Sequence, residues 1–136
     1  MCSSDLAGRT SEDRQQRAEA IAADQGLAIV PPFDHADIVA GQATVGLEIA
    51  EQLPDVRTVV VPVGGGGLIA GVACAIKELR PEVKIVGVET ARLPSMQLAL
   101  EKHELVTIPA ASTIADGIAV RRAGELRNVG RNRLID

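Results

Sequence analysis

The chain has 136 residues, of which 46% are apolar and 24% charged, a balance typical of one globular domain with a buried core. A net charge of −4 and a single aromatic residue, Phe33, argue against the basic and base-stacking surfaces that bind nucleic acid. Two cysteines are too few for a disulfide framework, and no apolar run is long enough for a membrane span or a secretory signal. We therefore expect a soluble, cytoplasmic protein that binds neither nucleic acid nor membranes.

The first third of the chain predicts two helices. Residues 10–13, Thr-Ser-Glu-Asp, resemble a capping box, and the helix that they begin ends at Gly26. Residues 27–30 form an apolar run of strand length before two prolines. A second helix is predicted from about Asp37 to Leu53 because apolar residues recur there at helical spacing. Residues 1–9 show no pattern and are assigned no role, so the predicted domain covers residues 10–136.

Residues 58–63 give the strongest strand signal, because their run of valines is nearly unbroken by polar residues. Such a run is typical of a parallel strand that is covered on both faces. The later predicted elements are a helix after residues 64–67 that ends before Pro81, a strand at 84–88, a helix from Pro94 to Lys102, a short strand at 105–108 and a loop at 113–117. Strands that alternate with helices predict βαβ units, and therefore an α/β fold with a parallel sheet and flanking helices.

Four consecutive glycines, residues 64–67, lie between the strongest strand and the helix that follows it. Ligands of parallel sheets bind beyond the carboxyl ends of the strands, where the next helix presents unpaired N–H groups and about half a positive charge. A backbone without side chains can approach an anion closely. The alternative is a flexible turn. Ordering each glycine costs about 0.5–1 kcal/mol more conformational entropy than ordering alanine, and a turn without a ligand would not offset that cost. The glycine run therefore predicts an anion site.

Two nucleotide-binding patterns can be compared with this run. The P-loop requires Lys followed by Ser or Thr after the last glycine, and Leu68 and Ile69 stand there instead, which excludes nucleotide triphosphate hydrolysis of that type. The dinucleotide pattern G-x-G-x-x-A is met from Gly65 to Ala70, and Glu89 follows the next strand, where a ribose-binding carboxylate is expected. An NAD(P)-binding domain of an oxidoreductase is therefore an alternative, although a run of four glycines meets this pattern partly by chance.

Residues 61–71, VPVGGGGLIAG, resemble the cofactor loop of threonine dehydratases and serine racemases, which are fold-type II pyridoxal-phosphate enzymes. The resemblance covers about residues 17–126, with further motifs in the family's order at 32–34, 38–48, 86–89, 94–96 and 113–120. It implies part of the large domain of such an enzyme, with pyridoxal 5′-phosphate as cofactor. The implied activity is that of a lyase in amino-acid metabolism, such as isoleucine biosynthesis, which deaminates L-threonine or L-serine to a 2-oxo acid and ammonia. Serine racemase is the alternative within the family.

The resemblance also implies site residues. The main-chain groups that hold the cofactor phosphate correspond to Gly64, Gly65, Gly66, Gly67 and Leu68. Residues 113–117 correspond to part of the wall around the cofactor. Glu89 corresponds to the acidic ligand of a divalent-cation site in some relatives, but Ser95 stands where those relatives carry a second carboxylate.

The lysine that carries the cofactor as a Schiff base lies in a Ser-x-Lys-x-Arg-Gly segment in this family, and the chain has no such segment. Lys77 is expected on the order of 15 Å beyond Gly67 along its helix, at 1.5 Å per residue, and Lys84 opens a strand at the opposite end from the ligand. We therefore predict no catalytic residue in this chain. The expectation is a central, inactive fragment of an enzyme whose full form binds an amino-acid substrate and is a homo-oligomer.

Overall fold

The structure is a computed structural model that describes residues 7–8 and 11–125. It divides into two compact units, residues up to Val30 and residues from Pro31 onward. The predicted boundary between residues 9 and 10, and the predicted domain end at residue 136, lie outside the described residues.

The first unit contains helix α1 (Ser11–Gln25). The helix ends as predicted, because Gly26 adopts a left-handed φ of 64° and the Leu27 N–H donates to Ala22 O at 2.9 Å, which closes a Schellman C-cap. The strand predicted at residues 27–30 is wrong. A strand requires a hydrogen-bonded neighbour, none of the described strands pairs with this run, and Val30 is 78% exposed.

The second unit is an α/β structure. Its elements in chain order are helix α2 (Ala36–Gln52), strand β1 (Thr58–Pro62), helix α3 (Gly67–Leu79), strand β2 (Lys84–Val88), helix α4 (Ser95–Lys102) and a 3-10 turn (Asp116–Ile118). The strands pair in parallel from Thr58–Lys84 to Pro62–Val88, which confirms the predicted α/β fold with a parallel sheet. The strand predicted at 105–108 is reduced to one antiparallel bridge between Thr107 and Arg122. None of the described helices is long and apolar enough to cross a membrane.

The core is formed by one face of the sheet, by α3 and by the end of α2, which contributes Ala50. Side chains along β1 alternate between exposed and buried, so that Val59 and Val61 are buried while Val60 is 61% exposed. The members of the core cluster are Ala50, Val59, Val61, Val63, Ile69, Val72, Ala73, Ile76, Val83 and Ile85. The prediction that both faces of β1 are covered is wrong for the described residues. An apolar run shows that both faces suit burial, but packing against other elements decides whether both are covered.

Helices α2 and α3 approach each other closely through glycines. A Cβ built on Gly71 would lie 2.5 Å from both Ala43 N and Val39 O of α2, and one on Gly46 would lie 2.9 Å from Ala75 Cβ of α3. Real Cβ atoms do not come so near to backbone atoms. The contact therefore fixes α3, and with it the glycine loop at its start, against α2.

Arg80 connects the end of α3 to the end of α2. Its guanidinium donates to Ala50 O at 2.7 Å and to Leu53 O at 3.2 Å, and it also contacts Pro54 O. The last carbonyls of a helix have no hydrogen-bond donor within the helix and carry partial negative charge. A cationic donor such as Arg80 therefore supplies their missing hydrogen bonds and is attracted by that charge.

Arg80→Met is therefore expected to lower the free energy of unfolding by about 1–3 kcal/mol, because the hydrogen bonds of a charged donor are lost while the apolar stem is kept. Urea denaturation followed by circular dichroism measures the change. Arg57→Met, at an exposed arginine just before β1, serves as the control and is expected to change stability by less than about 0.5 kcal/mol. Equal midpoints for both variants would contradict the role assigned to Arg80.

Candidate functional site

The glycine loop, residues 64–67, lies between the carboxyl end of β1 and the start of α3, as predicted. Gly66 is the N-cap of α3, with φ 101° and ψ −7°, a conformation that residues with a side chain rarely adopt. The Ala70 N–H donates to Gly66 O at 3.0 Å, so the N–H groups before Ala70 in the first turn have no partner within the helix. The loop therefore presents donors at the positive end of a helix.

Phe33 packs on one side of the loop. A Cβ built on Gly65 would overlap the ring of Phe33, and one built on Gly67 would lie 3.1 Å from Phe33 Cβ. No local sequence pattern predicts this contact, although Phe33 is the only aromatic residue of the chain and lies in a motif of the resemblance. Glycine at position 65 is thus required by the packing of this ring.

The last residue of the 3-10 turn and residues that follow the turn pack on another side of the loop. A Cβ on Gly64 would lie 3.1 Å from Val120 Cγ2 and 3.3 Å from Ile118 Cα, and the Gly124 N–H donates to Gly65 O at 2.9 Å. The residues of this region that contact the loop are Ile118, Val120 and Gly124. The assignment of residues 113–117 to the wall around the cofactor stays a prediction.

Met96 of α4 completes the surroundings of the loop, because its Cε lies 2.6 Å from the position that a Cβ on Gly66 would take. Protein atoms thus occupy or border the Cβ direction of each of the four glycines. Leu68, the fifth predicted residue, lies in the first turn of α3 and packs partly buried against the core. The groups that the loop can offer to a ligand are main-chain groups, and such a cradle fits a phosphate.

Glu89, predicted as a cation ligand, follows β2 and makes two hydrogen bonds to the start of α4. Its Oε1 accepts from Met96 N and its Oε2 from Gln97 N, both at 2.8 Å. Within the part of the chain that the structure describes, no group of three or more His, Cys, Asp or Glu side chains could hold a metal ion. The cation role of Glu89 stays a prediction, and both carboxylate oxygens already have protein partners.

A cavity of about 320 Å³ lies next to the loop, between the end of β2 and α4. Val63, just before the loop, and Met96 both line it, but none of the four glycines does. The cavity therefore borders the glycine loop without being lined by its four glycines.

The described lysines lie at the far ends of their elements from the glycine loop. Lys77 is near the end of α3 and donates to Pro81 O at 3.4 Å, Lys84 is the first residue of β2, and Lys102 is the last residue of α4. That no lysine of this chain carries the cofactor, and that the chain has no catalytic residue, stay predictions.

A family model described as pyridoxal-phosphate dependent enzyme matches residues 3–133. The chain belongs to the pyridoxal-phosphate dependent enzyme family. This membership confirms the resemblance that the motifs indicate. It also decides against the dinucleotide-binding alternative, which depended on the spacing of Gly65, Gly67, Ala70 and Glu89.

Relatives of this pyridoxal-phosphate family member are known by sequence and by structure. The L-threonine ammonia-lyase of Geobacter sulfurreducens is 47% identical over 119 residues, which are 88% of this chain and 30% of that protein. Threonine deaminase isoform 2 from Solanum lycopersicum matches with a TM-score of 0.87 and 42% identity over 97% of this chain and 36% of the other. Maize serine racemase matches with a TM-score of 0.83 and 33% identity over 93% and 40%. The chain spans about a third of the length of these relatives.

Proposed function

We propose that this chain forms the phosphate-binding part of a pyridoxal-phosphate-dependent threonine ammonia-lyase, which deaminates L-threonine or L-serine to a 2-oxo acid and ammonia. The observation that carries the proposal is a glycine cradle at the start of α3 in a chain 47% identical to an L-threonine ammonia-lyase. Serine racemase, the alternative, is supported by a structural neighbour of lower identity. The proposed enzyme is soluble, cytoplasmic and homo-oligomeric.

In this function, the main-chain N–H groups of residues 64–68 bind the cofactor phosphate, and the positive end of α3 lowers the cost of bringing a dianion there. Phe33, Met96 and Val120 hold the loop in the conformation that aims these groups. Pyridoxal phosphate, when bound, supplies an electron sink for negative charge at the α-carbon of the substrate. This chain anchors and orients that group. A divalent cation at Glu89 is a separate prediction.

The phosphate assignment is tested with pyridoxamine 5′-phosphate, which has no aldehyde and therefore cannot react with the lysines. Calorimetry is expected to show saturable binding, and pyridoxamine without the phosphate should bind at least about tenfold more weakly because charge-assisted hydrogen bonds are lost. Equal affinities for the two compounds would contradict the phosphate site. Saturable NAD binding would instead support a dinucleotide site. Ammonia release from L-threonine by this chain with added pyridoxal phosphate would contradict the prediction that the catalytic lysine lies elsewhere.

The substrate assignment is tested by transplanting residues 31–125 into the matching segment of the Geobacter sulfurreducens L-threonine ammonia-lyase. The chimaera is expected to keep ammonia release from L-threonine, since the segment carries the proposed phosphate-binding loop. A chimaera that folds and binds cofactor but racemises L-serine without releasing ammonia from L-threonine would favour the racemase alternative.

A further inference from the structure

Glu89 caps a helix to which it does not belong. The N-cap residue of α4 is Pro94, whose side chain makes no capping hydrogen bond. The N–H groups of Met96 and Gln97, in the first turn of α4, bind the Glu89 carboxylate instead. Such groups are ordinarily satisfied by the side chain of the N-cap residue itself. Glu89 therefore ties the end of β2 to the start of α4, where a carboxylate is also favoured by the positive end of the helix.

The first two residues of α4 in turn support the glycine loop. Met96 places its Cε beside Gly66, the residue with the left-handed φ. Ser95 is only 1% exposed, and its Oγ donates to Val120 O at 3.0 Å, while Val120 Cγ2 lies beside Gly64. The start of α4 thus supports the loop at two of its four glycines.

We propose that Glu89 is a positioning residue for the phosphate loop. By fixing the start of α4, its carboxylate holds Met96 against Gly66 and so preserves the turn from which the N–H groups of α3 point at a ligand. This inference rests on the proposed function of the loop and deepens it. It also gives the Glu89 carboxylate a role that requires no cation.

The test uses two variants and one matched control in the full chain. Glu89→Gln keeps the size of the side chain but leaves one acceptor oxygen and no charge. Met96→Ala keeps the cap and removes the contact with Gly66. Glu101→Gln is the control, because this carboxylate of the same helix accepts from the side chain of Gln97 at 2.9 Å and an amide oxygen can replace it.

The first measurement is amide hydrogen exchange of Ala70 in the ligand-free chain, relative to Ile76 further along α3, because the Ala70 bond to Gly66 O reports the loop conformation. Exchange at Ala70 is expected to become selectively faster in Glu89→Gln and Met96→Ala and to stay unchanged in Glu101→Gln. The second measurement is the affinity for pyridoxamine 5′-phosphate. It is expected to fall about three- to thirtyfold in the two variants, the range for coupling through packed neighbours.

The outcomes separate the two proposals. A selective response at Ala70 in a chain that never binds pyridoxamine 5′-phosphate would sustain the positioning role and overturn the proposed function. Unchanged exchange and affinity in Glu89→Gln and Met96→Ala would overturn the positioning role. It would also be overturned if Mg²⁺ raised the affinity of the unmodified chain and Glu89→Gln removed that effect, since Glu89 would then be a cation ligand. If Glu89→Gln fails to fold by circular dichroism, Glu89→Asp, which keeps the charge but shortens the side chain by one methylene, takes its place, and unchanged exchange at Ala70 in that variant overturns the positioning role.

Discussion

Replacing Gly71 by alanine is expected to lower the free energy of unfolding by about 2–3 kcal/mol, a large effect for one methyl group. The new Cβ would lie 2.5 Å from Ala43 N and Val39 O, which are backbone atoms of α2 and cannot rotate away. The helices would have to separate and loosen the packing of buried residues such as Val72 and Ile76. Urea denaturation of the variant measures the loss.

The same substitution at Gly41 is the matched control. Gly41 lies inside α2, and a Cβ built there meets no atom within 4 Å. Alanine is therefore expected to raise the free energy of unfolding by about 0.5–1 kcal/mol through its higher helix propensity. The opposite signs isolate the helix contact, so a stabilising effect at both positions would show that α2 and α3 do not approach closely at Gly71.

Gly65→Ala is expected to weaken binding of pyridoxamine 5′-phosphate by about thirtyfold or more, equivalent to about 2 kcal/mol of overpacking. The added methyl group would overlap the Phe33 ring, so the loop or the ring must move. Calorimetry on the folded variant measures the loss. Gly41→Ala serves as the control, because a Cβ at Gly41 of α2 meets no atom within 4 Å, and its affinity is expected to match that of the unmodified chain.

A double variant shows whether the ring is the cause. Gly65→Ala combined with Phe33→Ala removes the overlap, so the two substitutions are expected to be non-additive and the double variant to bind more tightly than Gly65→Ala alone. If Gly65→Ala costs the same affinity with and without the ring, then crowding of the phosphate itself, and not Phe33, explains the glycine.

Local patterns predicted the strand, loop and helix that carry the site. The valine run before the glycines and the apolar spacing after them depend on neighbouring residues alone, and β1 and α3 lie where these patterns place them. Helices α1 and α2 also end close to where they are predicted to end. The residues that stop them, Gly26 and Pro54, lie within two residues of the last helical residue, so the signal is local.

Features that depend on distant packing could not be predicted in the same way. Phe33 and Met96 flank the glycine loop from segments far from it in sequence, and no periodic pattern reports such contacts. One physical reason explains why Val60 is exposed and why residues 27–30 form no strand. An apolar run indicates a surface suited to burial, but it does not specify which other element packs against that surface. Glu89 shows a third limit, because its hydrogen bonds depend on where α4 begins in space.

The position of Phe33 has a practical consequence for spectroscopy. The chain has no tryptophan or tyrosine, so a single phenyl ring accounts for its phenyl NMR signals, and that ring packs against Gly65. A ligand or substitution that moves the loop would change those signals without any introduced label. The residue that constrains the cradle is therefore also its native probe.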